Sequence, residues 1–315
     1  MAKKEPCIND DAQPSAAILE LQSYIEAVEK DAVILEDKNF AKRVEIIDFL
    51  DFPVIGRIEE LLKKTAYPRK LGSLKQRPEK IITQLEDINA RLFQTLQVTL
   101  RAKRYSAATF KNLVNKYINF SAIHNGRCEE PGYDNLDIFI NALFSFRLMP
   151  EQTIELEPEM VFYQKTPARI VFELVEISHF TPEDVFFDIG AGLGQAAILV
   201  GLLSGITVTG IEFQPTFCKY ATDCANMFNL SNVTFINIDA RQADYSCGTV
   251  FFMFTPFKGE MLQQVLDILR TQSLLRKIKV ITYGPCTAAI ALQSWLQGAA
   301  PEDGNMYKLA VFSSL

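Results

Sequence analysis

The chain has 315 residues, of which 48% are hydrophobic and 22% are charged, an ordinary composition for folded globular domains. Its formal net charge is −6 at pH 7, so the whole molecule does not attract nucleic acid by charge alone. These values exclude a wholly disordered chain and a low-complexity protein. At about 150 residues per domain, the length predicts two domains.

Cysteine and histidine are too scattered to indicate a metal centre. The six cysteines form no C-x-x-C pair, and the two histidines are His124 and His179, so we expect no metal site. The N-terminus lacks the apolar core of a signal peptide, and the most apolar stretch, 196–211, is too interrupted to span a bilayer. We therefore expect a cytoplasmic protein without membrane association.

The first half of the chain is predicted to be helical, because apolar residues recur at helical spacing in five segments. These segments are 16–34, 39–50, 78–102, 106–122 and 135–148. Pro78 is placed in the first turn of its helix, and the glycine and proline content of 64–78 and 124–135 predicts loops. Residues 57–116 hold 14 basic and 5 acidic residues, a surface that meets an anionic partner or a set of solvated helix faces.

From about residue 160, short β-branched and aromatic runs alternate with helical segments. The runs are 185–189, 206–211, 232–238, 248–254, 279–283 and 306–312. The helical segments are 166–180, 194–203, 215–228, 258–272 and 286–297, the first with Thr166 as N-cap and Pro167 as its first residue. Apolar strands separated by helices predict an α/β domain with a doubly wound, mainly parallel sheet. One strand is expected after the last helix.

The most informative motif, Asp188-Ile-Gly190-Ala-Gly192-Leu-Gly194-Gln195, lies between a predicted strand and a predicted helix. Its glycines allow the backbone to turn sharply and allow a ligand to approach without a Cβ in the way. The dinucleotide fingerprint G-x-G-x-x-G requires glycine at position 195, where this chain has glutamine. This difference disfavours a nicotinamide-dependent oxidoreductase.

The pattern D-x-G-x-G-x-G resembles the first motif of class I (Rossmann-like) S-adenosylmethionine (SAM)-dependent methyltransferases. Glu212 and Asp239 end the next two predicted strands, where the first can accept both ribose hydroxyls and the second, by resemblance, accepts the adenine amino group. The resemblance implies SAM as the cofactor. The residues expected to contact it are Asp188, Gly190, Gly192, Gly194, Gln195, Glu212, Phe213, Asp239, Ala240 and Phe254.

The segment VFFMFTPFKGEML contains Phe254-Thr255-Pro256-Phe257, which by the same resemblance is expected to serve the acceptor. Together with GAGLGQ it is similar to the non-SET (disruptor-of-silencing type) histone-lysine methyltransferases, although the substrate-facing asparagine of that family is absent. The acceptor is expected to be a protein side chain or a small molecule rather than nucleic acid, and its acceptor atom is left open. Tyr163, Thr255 and Tyr283 are the candidate catalytic residues.

The sequence therefore predicts a helical N-terminal domain over 1–155 that caps the site and helps to select the substrate, followed by a SAM-binding methyltransferase domain over 156–315. The predicted reaction is methyl transfer by in-line displacement, in which alignment of donor and acceptor lowers the barrier. A catalytically silent SAM-binding scaffold, whose helical domain binds a partner, is the alternative. The sequence leaves oligomerisation open.

Overall fold

A computed structural model describes residues 14–64, 68–102, 107–118, 134–144, 148–298, 300–301 and 303–315. Contacts between Cα atoms divide the chain into two compact units. One unit comprises Met1–Leu96 and Asn115–Asn119, and the other comprises Gln97–Val114 and Phe120–Leu315. The domain boundary predicted at 155/156 lies further along the chain, and that division stays a prediction.

The described part of the first half is mainly helical, as predicted, although the helix expected over 16–34 ends at Lys30 and a short 3-10 helix follows at Ala32–Leu35. Its helices are α1 (Pro14–Lys30), α2 (Phe40–Phe49), α3 (Gly56–Lys64), α4 (Pro68–Ala102), α5 (Ala107–Ile118) and α6 (Asn135–Phe144). The end of the predicted helix at 106–122 and most of the predicted loop at 124–135 lie outside the described residues.

The first unit has its own apolar core, to which α1, α3 and α4 contribute. The buried members are Ile18, Leu21, Ile25, Ile34, Leu50, Val54, Ile58, Leu71, Leu74, Ile81 and Leu85. Arg43 is fully buried in this unit, and its guanidinium donates to Asn89 Oδ1 at 2.7 Å and to the carbonyl of Ile34 at 3.0 Å. These hydrogen bonds compensate for the loss of water around the charge.

The predicted loop at 64–78 is wrong from residue 68 onwards, because α4 begins at Pro68 and Pro78 lies inside the helix. Leu71 and Leu74 are 0% and 4% exposed and extend the buried stripe of α4 towards its N-terminus. Burying one such side chain contributes about 1.5–3 kcal/mol. The two leucines together therefore offset the cost of an interior proline, about 3 kcal/mol.

The second unit contains a seven-stranded sheet in the order β3-β2-β1-β4-β5-β7-β6. The strands are β1 (Val185–Ile189), β2 (Thr207–Glu212), β3 (Val233–Asn237), β4 (Val250–Met253), β5 (Lys279–Thr282), β6 (Leu296–Gln297) and β7 (Ala310–Ser314). Pairing is parallel from β3 to β5, whereas β7 is antiparallel to both of its neighbours. The predicted doubly wound, mainly parallel sheet is confirmed.

Helices surround and connect these strands. They are α7 (Ala168–Ser178), α8 (Gln195–Ser204), α9 (Pro215–Met227), α10 (Gly259–Ser273) and α11 (Cys286–Ala291). No helix of the described residues is long and apolar enough to cross a membrane.

The end of the sheet differs from the prediction. The helix expected over 286–297 stops at Ala291, and Leu296–Gln297 form a second strand after it. The last strand begins at Ala310 rather than at 306, because the Asn305 side chain accepts the N–H of Tyr307 at 2.9 Å. Such a local side-chain bond favours a turn over a strand.

The start of α7 also differs. Pro167 occupies the N-cap position in place of the predicted Thr166, and it has no side-chain acceptor for the helix N–H groups. Asp137 supplies that acceptor, since its Oδ1 receives the N–H of Ala168 at 2.7 Å. Burial raises the pKa of Asp137 to about 6.

Candidate cofactor and active site

A cavity opens at the carboxyl ends of β1 to β4, where ligands bind in doubly wound sheets, and its empty space, including the part open to solvent, is about 950 Å³. All of the predicted cofactor residues except Gly194 line it. Tyr163 and Thr255, two of the candidate catalytic residues, line it as well, whereas Tyr283 does not. The topology therefore brings together residues that lie far apart in the sequence.

The glycine loop is hydrogen-bonded to the end of β2. The N–H groups of Gly190 and Ala191 both donate to the carbonyl of Ile211 at 2.9 Å, and the N–H of Gly192 donates to Glu212 Oε2 at 2.7 Å. Gly190 and Gly192 have φ values of +80° and +55°, a region that side chains with a Cβ rarely adopt. The loop conformation therefore requires glycine at these positions.

Gly192 also allows a close approach that the sequence argument assigned to a ligand. A Cβ at this position would lie 2.1 Å from Cε2 of Tyr163. The ring of Tyr163 packs against the glycine loop on one side and meets Phe217 edge-on, with 5.6 Å between ring centroids. Gly192 is therefore needed by the protein itself, to seat Tyr163 in the cavity wall.

Gly194 does not line the cavity and is required instead for close packing of the loop. A Cβ here would lie 2.6 Å from both Ala221 Cβ and Phe235 Cζ. Gln195, the first residue of α8, is 6% exposed and donates from its Nε2 to the carbonyl of Thr166 at 3.2 Å. The residue that departs from the dinucleotide fingerprint therefore ties the loop to the segment before α7.

Asp188 is the lining residue whose surroundings most clearly suit a cation. It is 3% exposed, and burial raises its pKa to about 7. Its Oδ2 is buried and has no hydrogen-bond partner among the described residues. A buried carboxylate oxygen without a partner is costly unless a ligand charge or donor pairs with it. The α-ammonium group of SAM fits this requirement.

Glu212 both builds the site and faces the cavity. Its Oε2 holds Gly192, as described above, and its Oε1 accepts the N–H of Gln214 at 2.7 Å. Burial raises the pKa of Glu212, although these backbone hydrogen bonds oppose the rise. A carboxylate offers about four acceptor positions, so Glu212 can still accept the two ribose hydroxyls that the resemblance implies.

Asp239, the third predicted carboxylate, is already engaged by the protein. Arg241 Nη2 lies 2.6 Å from Asp239 Oδ2 and also 2.6 Å from Glu157 Oε1. The Nε of Arg241 donates to Asp239 Oδ1 at 3.0 Å. These bonds hold the pKa of Asp239 below its usual range and raise that of Arg241. We call these three residues the clasp.

Glu157 belongs to a segment that forms one wall of the cavity, residues 151–161, which we call the strap. Its first part is anchored by Gln214, which is 2% exposed. Gln214 Oε1 accepts the N–H groups of Thr153 and Ile154 at 3.1 and 3.0 Å, and Gln214 Nε2 donates to the carbonyl of Ile154.

The last part of the strap is anchored to the chain that follows β4. The N–H of Val161 donates to the carbonyl of Pro256 at 3.0 Å, and the N–H of Lys258 donates to the carbonyl of Glu159 at 2.9 Å. The carboxylate of Glu159 accepts the N–H of Met261, in the first turn of α10, at 2.7 Å. The strap therefore runs past the ends of β2, β3 and β4.

The part of the cavity formed by the chain after β4 contains a strained residue. Thr255 has a φ of +42°, which is an outlier for a β-branched residue and typical of functional sites. Its Oγ1 accepts the N–H of Cys286 at 3.1 Å and donates to the carbonyl of Tyr283 at 3.4 Å. Tyr283 is 1% exposed and packs against Phe254 with 4.8 Å between ring centroids, so it supports the cavity wall from behind.

Sequence reasoning did not find the clasp arginine, Gln214 or the strap. Gln214 lies two residues after β2 and Arg241 lies four residues after β3, but many polar residues lie near strand ends without a role in a site. The one available signal was the alternation of apolar residues with glutamates over 154–160. Such alternation is typical of extended segments on a surface.

The fold and the cavity have the features expected of a class I SAM-dependent methyltransferase, and a match to a known protein family agrees with this expectation. Residues 159–269 match the family model described as "Histone methylation protein DOT1", which also confirms the predicted resemblance to the non-SET type and the predicted cofactor. The matched range begins in the strap and ends in α10. This match favours an enzyme over a silent scaffold.

Solved structures similar to this chain include several methyltransferases. An RNA methyltransferase from Salinibacter ruber in complex with S-adenosyl-L-homocysteine is 23% identical, with a TM-score of 0.39, and the match covers 48% of this chain and 92% of that chain. Precorrin-6y C5,15-methyltransferase from Geobacter metallireducens is 16% identical, with a TM-score of 0.38 and coverages of 50% and 92%. Curated proteins yield no match.

Metal chemistry has no candidate centre in the part of the chain that the structure describes. No group of three or more histidine, cysteine, aspartate or glutamate side chains there could hold an ion. The chemistry that these residues can support is alignment of a donor and an acceptor, with charge supplied by the buried carboxylates.

Proposed function

We propose that this methyltransferase transfers the methyl group to the side-chain amine of a lysine in a basic segment of a protein. The observation that carries the proposal is the acidic character of the strap beside the cavity. The strap contains Glu151, Glu155, Glu157 and Glu159 and no lysine, arginine or histidine. Negative charge of this kind attracts and orients cationic segments. The match to a family named for histone methylation supports the same acceptor.

An aromatic side chain at the cavity favours the same class of acceptor. Phe162 lines the cavity but is 77% exposed, an unusual position for a large apolar ring. The face of such a ring attracts an ammonium group, and its apolar surface suits the aliphatic stem of lysine. Phe162 and the strap glutamates together match the apolar stem and the charged end of that side chain.

The chain's own residues would prepare the acceptor. When bound, SAM supplies an electrophilic methyl group on a sulfonium. A lysine ammonium must release its proton to solvent before it can attack, and the apolar surface of Pro256 and Phe257 in the cavity favours the uncharged amine by desolvation. Its lone pair then forms the N–C bond in line as the C–S bond breaks, and the electron pair of that bond leaves on sulfur.

We assign two of the candidate catalytic residues to different parts of this step. Tyr163, packed on the glycine loop, contacts the reacting groups and orients the amine. Thr255 is a positioning residue, because its hydroxyl is used to hold the loop to Cys286 and Tyr283. Orientation of this kind supplies much of the catalysis in reactions that need no covalent intermediate on the enzyme.

The proposal is tested with methyl-labelled SAM and a mixture of purified histones, followed by separate digestion with protease and nuclease. We expect protease-sensitive label and methyl-lysine in the mass spectrum. Glu212→Ala, which removes the anchor of the glycine loop, provides the inactive control. Label confined to small molecules or to nucleic acid in a cell extract, with unlabelled histones, would contradict a lysine acceptor.

The contribution of the strap is tested separately. Glu151→Gln combined with Glu155→Gln should raise KM for the basic protein and leave kcat unchanged, because both side chains are exposed and act on the encounter. Glu183→Gln is the matched control, because Glu183 is exposed and lies before β1, at the end of the strand opposite to the cavity. This substitution should change neither constant.

A further inference from the structure

The strap is held at three strand ends, and the interactions that hold it differ in kind. At β2 and β4 they include hydrogen bonds to the strap backbone, made by Gln214 and by the chain around Pro256. At β3 the described residues provide the ion pair between Arg241 and Glu157, which joins two side chains. The middle of the strap therefore depends on an interaction that salt and charge can break.

Arg241 also determines the state of Asp239, which lines the cavity. Its guanidinium and its backbone N–H both bind the Asp239 carboxylate, the latter at 2.8 Å to Oδ1. The Asp239 side chain is 13% exposed and that of Arg241 is 27% exposed. The planar fork of arginine suits this double task, since it can bind one carboxylate with two nitrogens and still reach a second.

Removing the arginine would leave Asp239 and Glu157 facing each other as like charges. Each now lies 2.6 Å from the same Nη2 atom, so their separation is short. Without the cation between them, they repel each other. The strap would then be pushed away from the end of β3, while its other two anchors stay in place.

We propose that Arg241 is a positioning residue for cofactor binding: it holds Glu157 of the strap to Asp239, closes the Asp239 end of the cavity, and must release Glu157 when the cofactor enters or leaves. This inference rests on the cavity being the SAM site and does not depend on lysine being the acceptor. Arg241 acts through Asp239 and the strap, because it does not itself line the cavity.

The first test measures association and dissociation of S-adenosylhomocysteine by stopped flow. Arg241→Met should raise the dissociation rate on the order of tenfold, as expected when a charge-assisted hydrogen bond is lost. Arg241→Lys should recover part of the loss, since lysine provides a single point charge. Lys219→Met breaks an exposed ion pair with Asp223 on α9 and should leave both rates unchanged.

The salt dependence of S-adenosylhomocysteine dissociation distinguishes an ion pair that opens during ligand release from a contact that only packs. Dissociation from the unmodified protein should accelerate between about 0.05 M and about 0.5 M NaCl, where screening shortens from beyond 10 Å to a few ångströms. In Arg241→Met and in Glu157→Gln this acceleration should be lost. Equal rates and equal salt dependence in the unmodified protein and Arg241→Met would overturn the proposal.

Hydrogen exchange in the ligand-free protein separates failure of this proposal from failure of the SAM assignment. The amide of Met160, bonded to the carbonyl of Glu157, should exchange faster in Arg241→Met than in Lys219→Met. The amide of Val161, bonded to the carbonyl of Pro256 at the β4 anchor, should exchange at the same rate in both. Faster exchange supports the clasp even if the protein binds no SAM, in which case the cofactor assignment alone is wrong. Unchanged exchange of the Met160 amide overturns the clasp.

Discussion

At the scale of single residues, several side chains of the site make hydrogen bonds that hold the protein together, in addition to any contact with a ligand. Glu212 holds Gly192 and Gln214 through one carboxylate, and Gln214 in turn holds the strap. Loss of one such residue would loosen the glycine loop and the cavity wall together. The cost of a substitution here therefore includes rebuilding of the site as well as the lost ligand contact.

Gly192→Ala should weaken SAM binding strongly, because the added Cβ meets the ring of Tyr163 and the φ of +55° is strained for alanine. Gly205→Ala is the matched control, since Gly205 has a φ of +75° but nothing within 4 Å of its Cβ position. Backbone strain alone costs about 1 kcal/mol, so both variants should lose stability. Only Gly192→Ala should lose affinity in calorimetric titration with SAM. Equal affinities in the two variants would remove Tyr163 and the loop from the site.

At the scale of elements, the parts that follow from local pattern were predictable and those fixed by distant partners were not. The runs at 185–189 and 279–283 predicted β1 and β5, because a strand buried on both faces is apolar throughout. The motif around Gly190 predicted the cavity at the first strand end. Its position follows from sequence order alone, since parallel strands place their carboxyl ends at one edge.

The strap shows why the rest could not be predicted. Residues 154–160 alternate apolar residues with glutamates, a period that indicates an extended segment but does not identify its partners. Those partners are distant in the chain: Gln214 lies 60 positions after Ile154, and Arg241 lies 84 positions after Glu157. The start of α7 is similar, because its cap is Asp137, 31 positions before Ala168. A partner at that separation leaves no signal in local sequence.

The interior proline of α4 provides a prediction at this scale. Pro78→Ala should raise the free energy of unfolding of the first unit by about 1–2 kcal/mol, because alanine restores a helix hydrogen bond and costs only part of the proline burial. Pro68→Ala, at the first position of the same helix, should be neutral or slightly destabilising, since proline is favoured there. Urea titration checks both. A loss of stability in Pro78→Ala would mean that the helix is adapted to its proline.

At the scale of the whole molecule, charge is unevenly divided. Residues 151–315 carry 10 basic and 17 acidic residues, whereas 57–116 carry an excess of basic ones. The sheet half therefore attracts cationic partners and the basic segment attracts anionic ones. We expect a basic acceptor to be attracted to the acidic part, 151–315. The role of residues 1–155 as a cap that helps to select the substrate stays a prediction.

Buried carboxylates give the sheet unit a dependence on pH that the cofactor should reverse. The raised pKa values of Asp137 (about 6) and Asp188 (about 7) mean that these groups keep their protons in the folded state when the unfolded chain has lost them. Their contribution to stability is thus present below about pH 4 and is lost as pH rises through 6 and 7. Asp184 and Asp239 have lowered pKa values, so their contribution is lost in the opposite direction, as pH falls below about 4.

The free energy of unfolding of the ligand-free sheet unit should therefore be highest near about pH 5 and lower at about pH 7.5. The corresponding decrease in Tm should be on the order of 5 °C. SAM should stabilise more at the higher pH, because its ammonium group pairs with ionised Asp188 and compensates for that charge. Asp188→Asn, which cannot ionise, should reduce both the fall in Tm and the pH dependence of SAM affinity. Asp303→Asn removes an exposed carboxylate with a lowered pKa and should do neither. Thermal melts of the three proteins, with and without SAM, measure both effects. A Tm that rises steadily between the two pH values in the unmodified protein would contradict the raised pKa of Asp188, and SAM would then be expected to stabilise the protein equally at both pH values.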